Sequence, residues 1–303
     1  MNHSSIVVIG STNTDMVIRT DHLPAPGETI LGGSFFMNPG GKGANQAVAA
    51  QRLGGNVTFI AKTGNDMFGE AAIKLFRDEG INTRHMLTDP LHPSGVALIT
   101  VDKDAENTIV VASGANAALF PADLGAATEV IQNAAFILMQ LEIPLMTVTY
   151  VAELAWVSGA RIILNPAPAC PLPNDLLKLI SIITPNETEA EMLAGIRITD
   201  INSARAAAGV IREMGVETVI ITLGAKGALV STVGIEELVP APVVHAVDTT
   251  AAGDVFNGAL AVALAEGRSL MDAVSFGCKA AAISVTRLGA QAAAPHRHEV
   301  EPK

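Results

Sequence analysis

At 303 residues the chain can bury a sizeable core unaided, and its two cysteines, Cys170 and Cys278, lack any paired spacing, which argues against a zinc module or disulfide framework and suits a reducing compartment. A net charge of −11 with 19 Lys and Arg argues against general nucleic-acid binding, so any phosphate must be met locally, by helix N-termini and glycine-rich turns. Although 49% of residues are hydrophobic, no apolar run reaches the roughly 18 residues of a membrane span, and the first residues lack the pattern of an export signal; a soluble, cytoplasmic protein is expected.

Along the chain, the β-branched runs at 6–10, 57–61, 136–140, 161–165, 180–184 and 218–222 read as strands buried on both faces, which favours a parallel sheet. Ala-rich stretches of helical length separate them, at 44–53, 69–79, 145–158, 203–214 and 253–266. Strand and helix alternate, so the core is α/β. Two stretches, 15–37 and 94–112, break that rhythm with short strands and turns. They suit either a small β lid over the carboxyl ends of the parallel strands or an ordinary edge hairpin.

The segment Asn38-Pro-Gly-Gly-Lys-Gly-Ala-Asn-Gln-Ala47 leads three glycines into a helix, so its backbone can approach a ligand while Lys42 and Asn45 offer donors. It lacks the Walker A spacing, and alone it also reads as a tight strand-to-helix connection. In Ala246-Val-Asp-Thr-Thr-Ala-Ala-Gly-Asp-Val-Phe-Asn-Gly258, small Ala251, Ala252 and Gly253 open a helix whose N–H groups could form an anion hole. Asp254 then has the position of a general base for phosphoryl transfer, or it merely satisfies first-turn N–H groups. Asn186-Glu-Thr-Glu189 after Pro185 reads as an ordinary helix start, and Glu142 as a surface or capping residue.

Taken with Gly10-Ser-Thr-Asn-Thr-Asp15, Asn165-Pro-Ala-Pro168 and Thr222-Leu-Gly-Ala-Lys-Gly227, these segments resemble the ribokinase family of carbohydrate kinases, in order and nearly end to end. The resemblance implies a Rossmann-like three-layer core with a mainly parallel sheet (residues 1–11, 38–93 and 113–303) and a small β-sheet lid (12–37 and 94–112) that doubles as a homodimer interface. It implies ATP-dependent phosphorylation of D-ribose at O5, with another sugar or nucleoside substrate, or a non-catalytic sensor, as alternatives. Asn13, Asp15, Gly41, Lys42, Gly43, Ala44, Asn45 and Glu142 would surround the sugar, with Asp254 as base and Ala251, Ala252 and Gly253 as the anion hole. Asn186, Glu189, Thr222, Leu223, Gly224, Ala225, Lys226, Gly227 and Gly253 would meet ATP and its Mg²⁺. Asp248, Thr250, Ser284, Arg287 and Gly289 would hold K⁺ or another monovalent cation. Two positions depart from the family pattern: Ala293 replaces a serine hydroxyl of the ion site, and Cys278 stands where an adenine-contacting asparagine is common.

Overall fold

In a computed structural model, described for residues 5–104 and 106–302, all six apolar runs become strands of one eight-stranded sheet. Its order is Ile235–Val239, Ala228–Thr232, Thr218–Thr222, Ile182–Ile183, Arg161–Leu164, Phe136–Met139, Ser5–Ile9, Asn56–Ile60. The six strands from Thr218–Thr222 to Asn56–Ile60 are parallel, as their unbroken apolar character demands. The antiparallel hairpin that closes the other edge was not anticipated, nor was the helix Leu270–Ser284. The reading of residues 1–4 as free of an export signal lies outside the described residues, as do positions 105 and 303 of the expected lid and core.

Side chains alternate across each strand, so one sheet supplies two cores. Ile6, Val8, Phe59, Leu138, Ile163 and Ile220 pack under the helices Lys42–Arg52, Ala252–Ala265 and Leu270–Ser284. Val7, Ile9, Ile60, Ile137, Met139 and Ile221 face the helices Leu145–Ser158 and Ile201–Glu213. The three layers match the α/β expectation. No helix among the described residues is long and apolar enough to cross a membrane.

One helix pair matters most for the site. Asp254 and Gly258 lie four residues apart, on one face of Ala252–Ala265, and that face packs against Lys42–Arg52. A Cβ at Gly258 would stand 2.8 Å from both the Gln46 carbonyl oxygen and the Ala50 nitrogen, so the close approach requires glycine. This contact brings Asn45 and Gln46 against Asp254.

The interrupted stretches form a second, four-stranded sheet in the order Ser34–Gly40, Asn13–Arg19, Gly95–Val101, Asn107–Ala112. Its first edge strand continues three residues beyond position 37, so the lid runs directly into the helix that begins at Lys42. By register, Met16, Met37, Leu98 and Val110 share one face, while Asp15, Asn38 and Ala97 share the other.

Candidate active site

The chain passes from Ser5–Ile9 to the strand on one side of it, Asn56–Ile60, and later returns to the strand on the other, Phe136–Met139. This reversal opens a crevice at the carboxyl ends of the strands, the place where open α/β sheets bind ligands. Gly10, Gln140, Asn165 and Thr184 each follow the last residue of such a strand. A cleft is lined there by Lys42, Asn165, Thr184, Asn186, Glu189, Thr222, Thr249, Ala251, Ala252, Gly253, Asp254 and Asn257, with Ala167 at its wall.

Asp254 sits in the first turn of Ala252–Ala265 and is 5% exposed. Its Oδ2 accepts from Asn45 Nδ2 at 2.9 Å, and its Oδ1 accepts from Gln46 Nε2 at 2.9 Å. Burial pushes its carboxyl above the ordinary range, opposed by the Lys42 charge and the two amide donors. The helix is entered through Ala251, the one non-glycine residue with positive φ (58°) among the described residues, and no side chain caps it. An L-residue adopts that conformation only where its surroundings impose it, and such strain gathers at functional sites. No side chain covers the helix start beside the cleft, where the Ala252 N–H donates to the Thr249 carbonyl at 3.3 Å, and a Cβ at Gly253 would meet open space. The arrangement fits an anion carrying several oxygens, such as a transferring phosphoryl group.

Across the cleft, Glu142 anchors the opposite wall. Its Oε2 accepts from Ser11 Oγ at 2.5 Å and from the Lys42 backbone N–H at 3.0 Å. Lys42 loses basicity to burial, but Asp254, Glu142 and Glu189 more than restore it, so its ammonium is held above the usual range. Asn13 is fixed by Asn116, whose Nδ2 donates to Asn13 Oδ1 at 2.8 Å while its Oδ1 accepts from the Thr12 N–H at 2.9 Å. Burial, with Glu142 nearby, pushes Asp15 up to about 6. Gly41 caps the helix with φ 89°, and Gly43, Ala44 and Asn45 follow buried in its first turn.

The opposite end of the cleft begins at an isolated bridge between Asn186 and Thr222. Asn186 and Glu189 form a reciprocal cap: Asn186 Oδ1 accepts from the Glu189 N–H at 2.8 Å and Glu189 Oε2 from the Asn186 N–H at 2.8 Å. The helix start is thus real, and it also lines the cleft. Leu223 is buried, the turn Gly224–Lys226 forms an exposed rim, and Gly227 is buried behind it.

Comparison with known proteins decides what such a site belongs to. The sequence pattern described as pfkB family carbohydrate kinase matches residues 3–297. The chain belongs to the pfkB family of carbohydrate kinases. A ribokinase of Haemophilus influenzae is 48% identical to this pfkB-family kinase over 295 residues, covering 97% of this chain and 96% of that one. A deoxyribokinase of Salmonella typhimurium is 38% identical over 291 residues, covering 96% and 95%. The structure of Arabidopsis thaliana ribokinase complexed with ribose and ATP superposes with a TM-score of 0.93 at 32% identity, covering 98% of this chain and 97% of that chain. The enzyme class, an ATP-dependent carbohydrate kinase, and the α/β fold with its smaller sheet follow.

In this pfkB-family kinase the expected ion-site residues also come together. Asp248 Oδ1 accepts from the Thr250 N–H at 2.9 Å and its Oδ2 from the Gly289 N–H at 2.9 Å. These donors hold its carboxyl below the ordinary range despite burial. Ser284 and Arg287 belong to the same turn, where the Arg287 N–H donates to the Ser284 carbonyl at 3.1 Å, and the Arg287 side chain pairs with Glu299. Cys278 lies apart from the cleft lining, 5% exposed among apolar side chains, and burial pushes its thiol up to about 11. Sequence reasoning missed Gln46, Gln140, Asn165, Thr184, Thr249, Asn257 and Asn116. Their signal was positional: Gln140, Asn165 and Thr184 are polar residues closing otherwise apolar strand runs.

The charge on Asp15 ties stability to pH. Its carboxyl titrates higher in the folded protein, near 6, than its unfolded value of 3.8, so its contribution to stability is full below about pH 4 and is lost as pH rises through 6. Asp15→Asn should therefore raise the Tm of the ligand-free protein at pH 7.5, with the gain shrinking towards pH 4, while weakening sugar affinity. Thermal scans across that range check it, and an equal or lower Tm at pH 7.5 would contradict it.

Proposed function

We propose that this kinase transfers the γ-phosphoryl group of ATP to O5 of D-ribose, giving D-ribose 5-phosphate and ADP. The observation that carries this reading is Asp254, buried directly beside an uncapped helix N-terminus and held at both carboxylate oxygens. Asn13, Asp15, Gly41, Lys42, Gly43, Ala44, Asn45 and Glu142 hold the sugar, and Asp254 accepts the O5 proton as that oxygen bonds to the γ-phosphorus and the bond to ADP breaks. Ala251, Ala252 and Gly253 face the charge on the transferring group; positioning and charge stabilisation of this kind supply most of phosphoryl-transfer catalysis.

ATP lies along Asn186 and Thr222–Gly227; Cys278, expected beside the base, is instead buried in the apolar core. Asn186 and Glu189 suit Mg²⁺: Glu189 is a buried carboxylate on the cleft wall whose oxygens already accept capping bonds, which favours holding the ion through water. When bound, Mg²⁺ would offset phosphate charge. Asp248 and Thr250, with carbonyls from Ser284, Arg287 and Gly289, suit K⁺ or another monovalent ion; Ala293, buried nearby in the chain, adds no hydroxyl to them.

The eight-stranded sheet and its helices form the core, and 94–112 form the lid together with 12–40, since the edge strand expected to end at 37 runs on to Gly40. The lid's outward face exposes Ile18, Phe35, Met37, Leu98 and Val110, Leu98 by 56%. An apolar face of this extent suits burial against a second copy, so the enzyme works as a homodimer. Light scattering should give a dimer mass for the natural chain and a monomer mass for Leu98→Glu; a monomeric natural chain would contradict this. Its free thiols, Cys170 and Cys278, suit a cytoplasmic enzyme.

Deoxyribose is the competing substrate, since a deoxyribokinase stands among the relatives. An ADP-release assay over ribose, 2-deoxyribose, fructose and nucleosides should give ribose the highest kcat/KM. A higher value for any of the others would overturn the assignment.

A further inference from the structure

Behind Asp254 lies a set of buried amides that the reaction as described does not use. Gln46 and Gln140 are both 0% exposed, and neither lines the cleft. Gln140 Nε2 donates to Gln46 Oε1 at 2.5 Å, and Gln46 Nε2 in turn donates to Asp254 Oδ1 at 2.9 Å and Asn165 Oδ1 at 3.2 Å. An amide has one carbonyl and one NH₂ group. With its oxygen engaged by Gln140, Gln46 must turn its NH₂ to the carboxylate; reversed, it would set oxygen against oxygen and nitrogen against nitrogen.

The surroundings leave room for the Gln140 amide, whose Oε1 is buried without a hydrogen-bond partner. Gln140 closes the strand Phe136–Met139, and Gly10 closes its neighbour Ser5–Ile9. A Cβ at Gly10 would fall 2.1 Å from Gln140 Oε1, so the chain gives up a side chain there to seat the amide. Buried amides cost stability unless they are hydrogen-bonded, and an Ala-rich helix packed on apolar strands would accept an aliphatic residue at position 46. Gln46 is therefore placed for what it holds.

We propose that Gln46, oriented by Gln140, is a positioning residue that fixes the Asp254 carboxylate as the acceptor of the substrate hydroxyl proton. Asn45 holds one oxygen and Gln46 the other. The proposal rests on the reading of Asp254 as base. The charged groups facing Asp254 are Lys42 from the neighbouring helix, Glu142 from the loop after Phe136–Met139 and Glu189 from the capped helix. Gln46 adds a neutral donor, which favours the ionised carboxylate without disturbing that balance of charge.

Gln46→Leu should lower kcat by about 10–100-fold, the worth of one hydrogen bond to a charged group, with the Kd for ATP unchanged. The acid limb of its kcat/KM profile should move up by about one pH unit, a displacement that a merely structural role would not produce. Gln140→Met, which touches Asp254 only through Gln46, should move both in the same direction by a smaller amount, and it decides the matter if Gln46→Leu does not fold. Added to Asp254→Asn, Gln46→Leu should cost little further kcat. If Asp254→Asn is nearly inactive while the glutamine variants keep a natural kcat and acid limb, the positioning role is wrong and the base stands. If Asp254→Asn itself keeps its kcat, the base assignment fails first.

Discussion

Asp254→Asn should fold, bind ATP nearly as the natural chain does, and lose about 10²–10⁴-fold in kcat. Asparagine keeps the size of the side chain and is acceptable near a helix start, so the entry through Ala251 should survive. It cannot take the hydroxyl proton, and its NH₂ group would face one of the two amide donors from Asn45 and Gln46, which adds to the loss. The nucleotide turn Thr222–Gly227 is untouched. Calorimetry of ATP binding and kcat for ribose, on one folded preparation, separate the two effects. A variant retaining more than about a tenth of the natural kcat would not be missing its base.

Gly258→Ala should damage catalysis from a residue that never meets the cleft. Its new methyl would stand 2.8 Å from the backbone of Gln46 and Ala50 and 2.9 Å from the Ala49 Cβ, and backbone atoms in two packed helices cannot rotate aside. Overpacking of this kind costs about 1–3 kcal/mol. The helix pair must part, carrying Asn45 and Gln46 from Asp254, and a displacement near 1 Å costs up to about 10²-fold in rate. Denaturant melts and kcat should therefore fall together, with ATP affinity less affected. An unchanged kcat in a destabilised protein would show that the helix spacing does not set the base.

The parallel core was legible because strands buried on both faces are apolar throughout, as in Phe136–Met139 and Arg161–Leu164. The hairpin Ala228–Thr232 and Ile235–Val239 was not, since half of it is exposed at an edge and its second strand carries Glu236 and Glu237. Asp254 and Lys42 could be picked out because small residues around helix starts imply close backbone approach, whereas Asn186 and Thr222 entered through the family resemblance alone. Gln46 and Asn257 could not: inside an Ala-rich helix, a lone amide looks like any surface residue. Only the packing of Gly258 on Lys42–Arg52, a contact remote in sequence, reveals that Gln46 points inward at a carboxylate. Asn116 is similarly silent until the lid is folded onto it.

The most direct test of the account is the identity of the product. The natural chain, incubated with ATP, Mg²⁺ and carbon-13-labelled D-ribose, should give one ADP per sugar consumed, with phosphorus coupled to C5 in the nuclear magnetic resonance spectrum. Phosphorus coupled to C1, or ADP released without phosphorylated sugar, would contradict it.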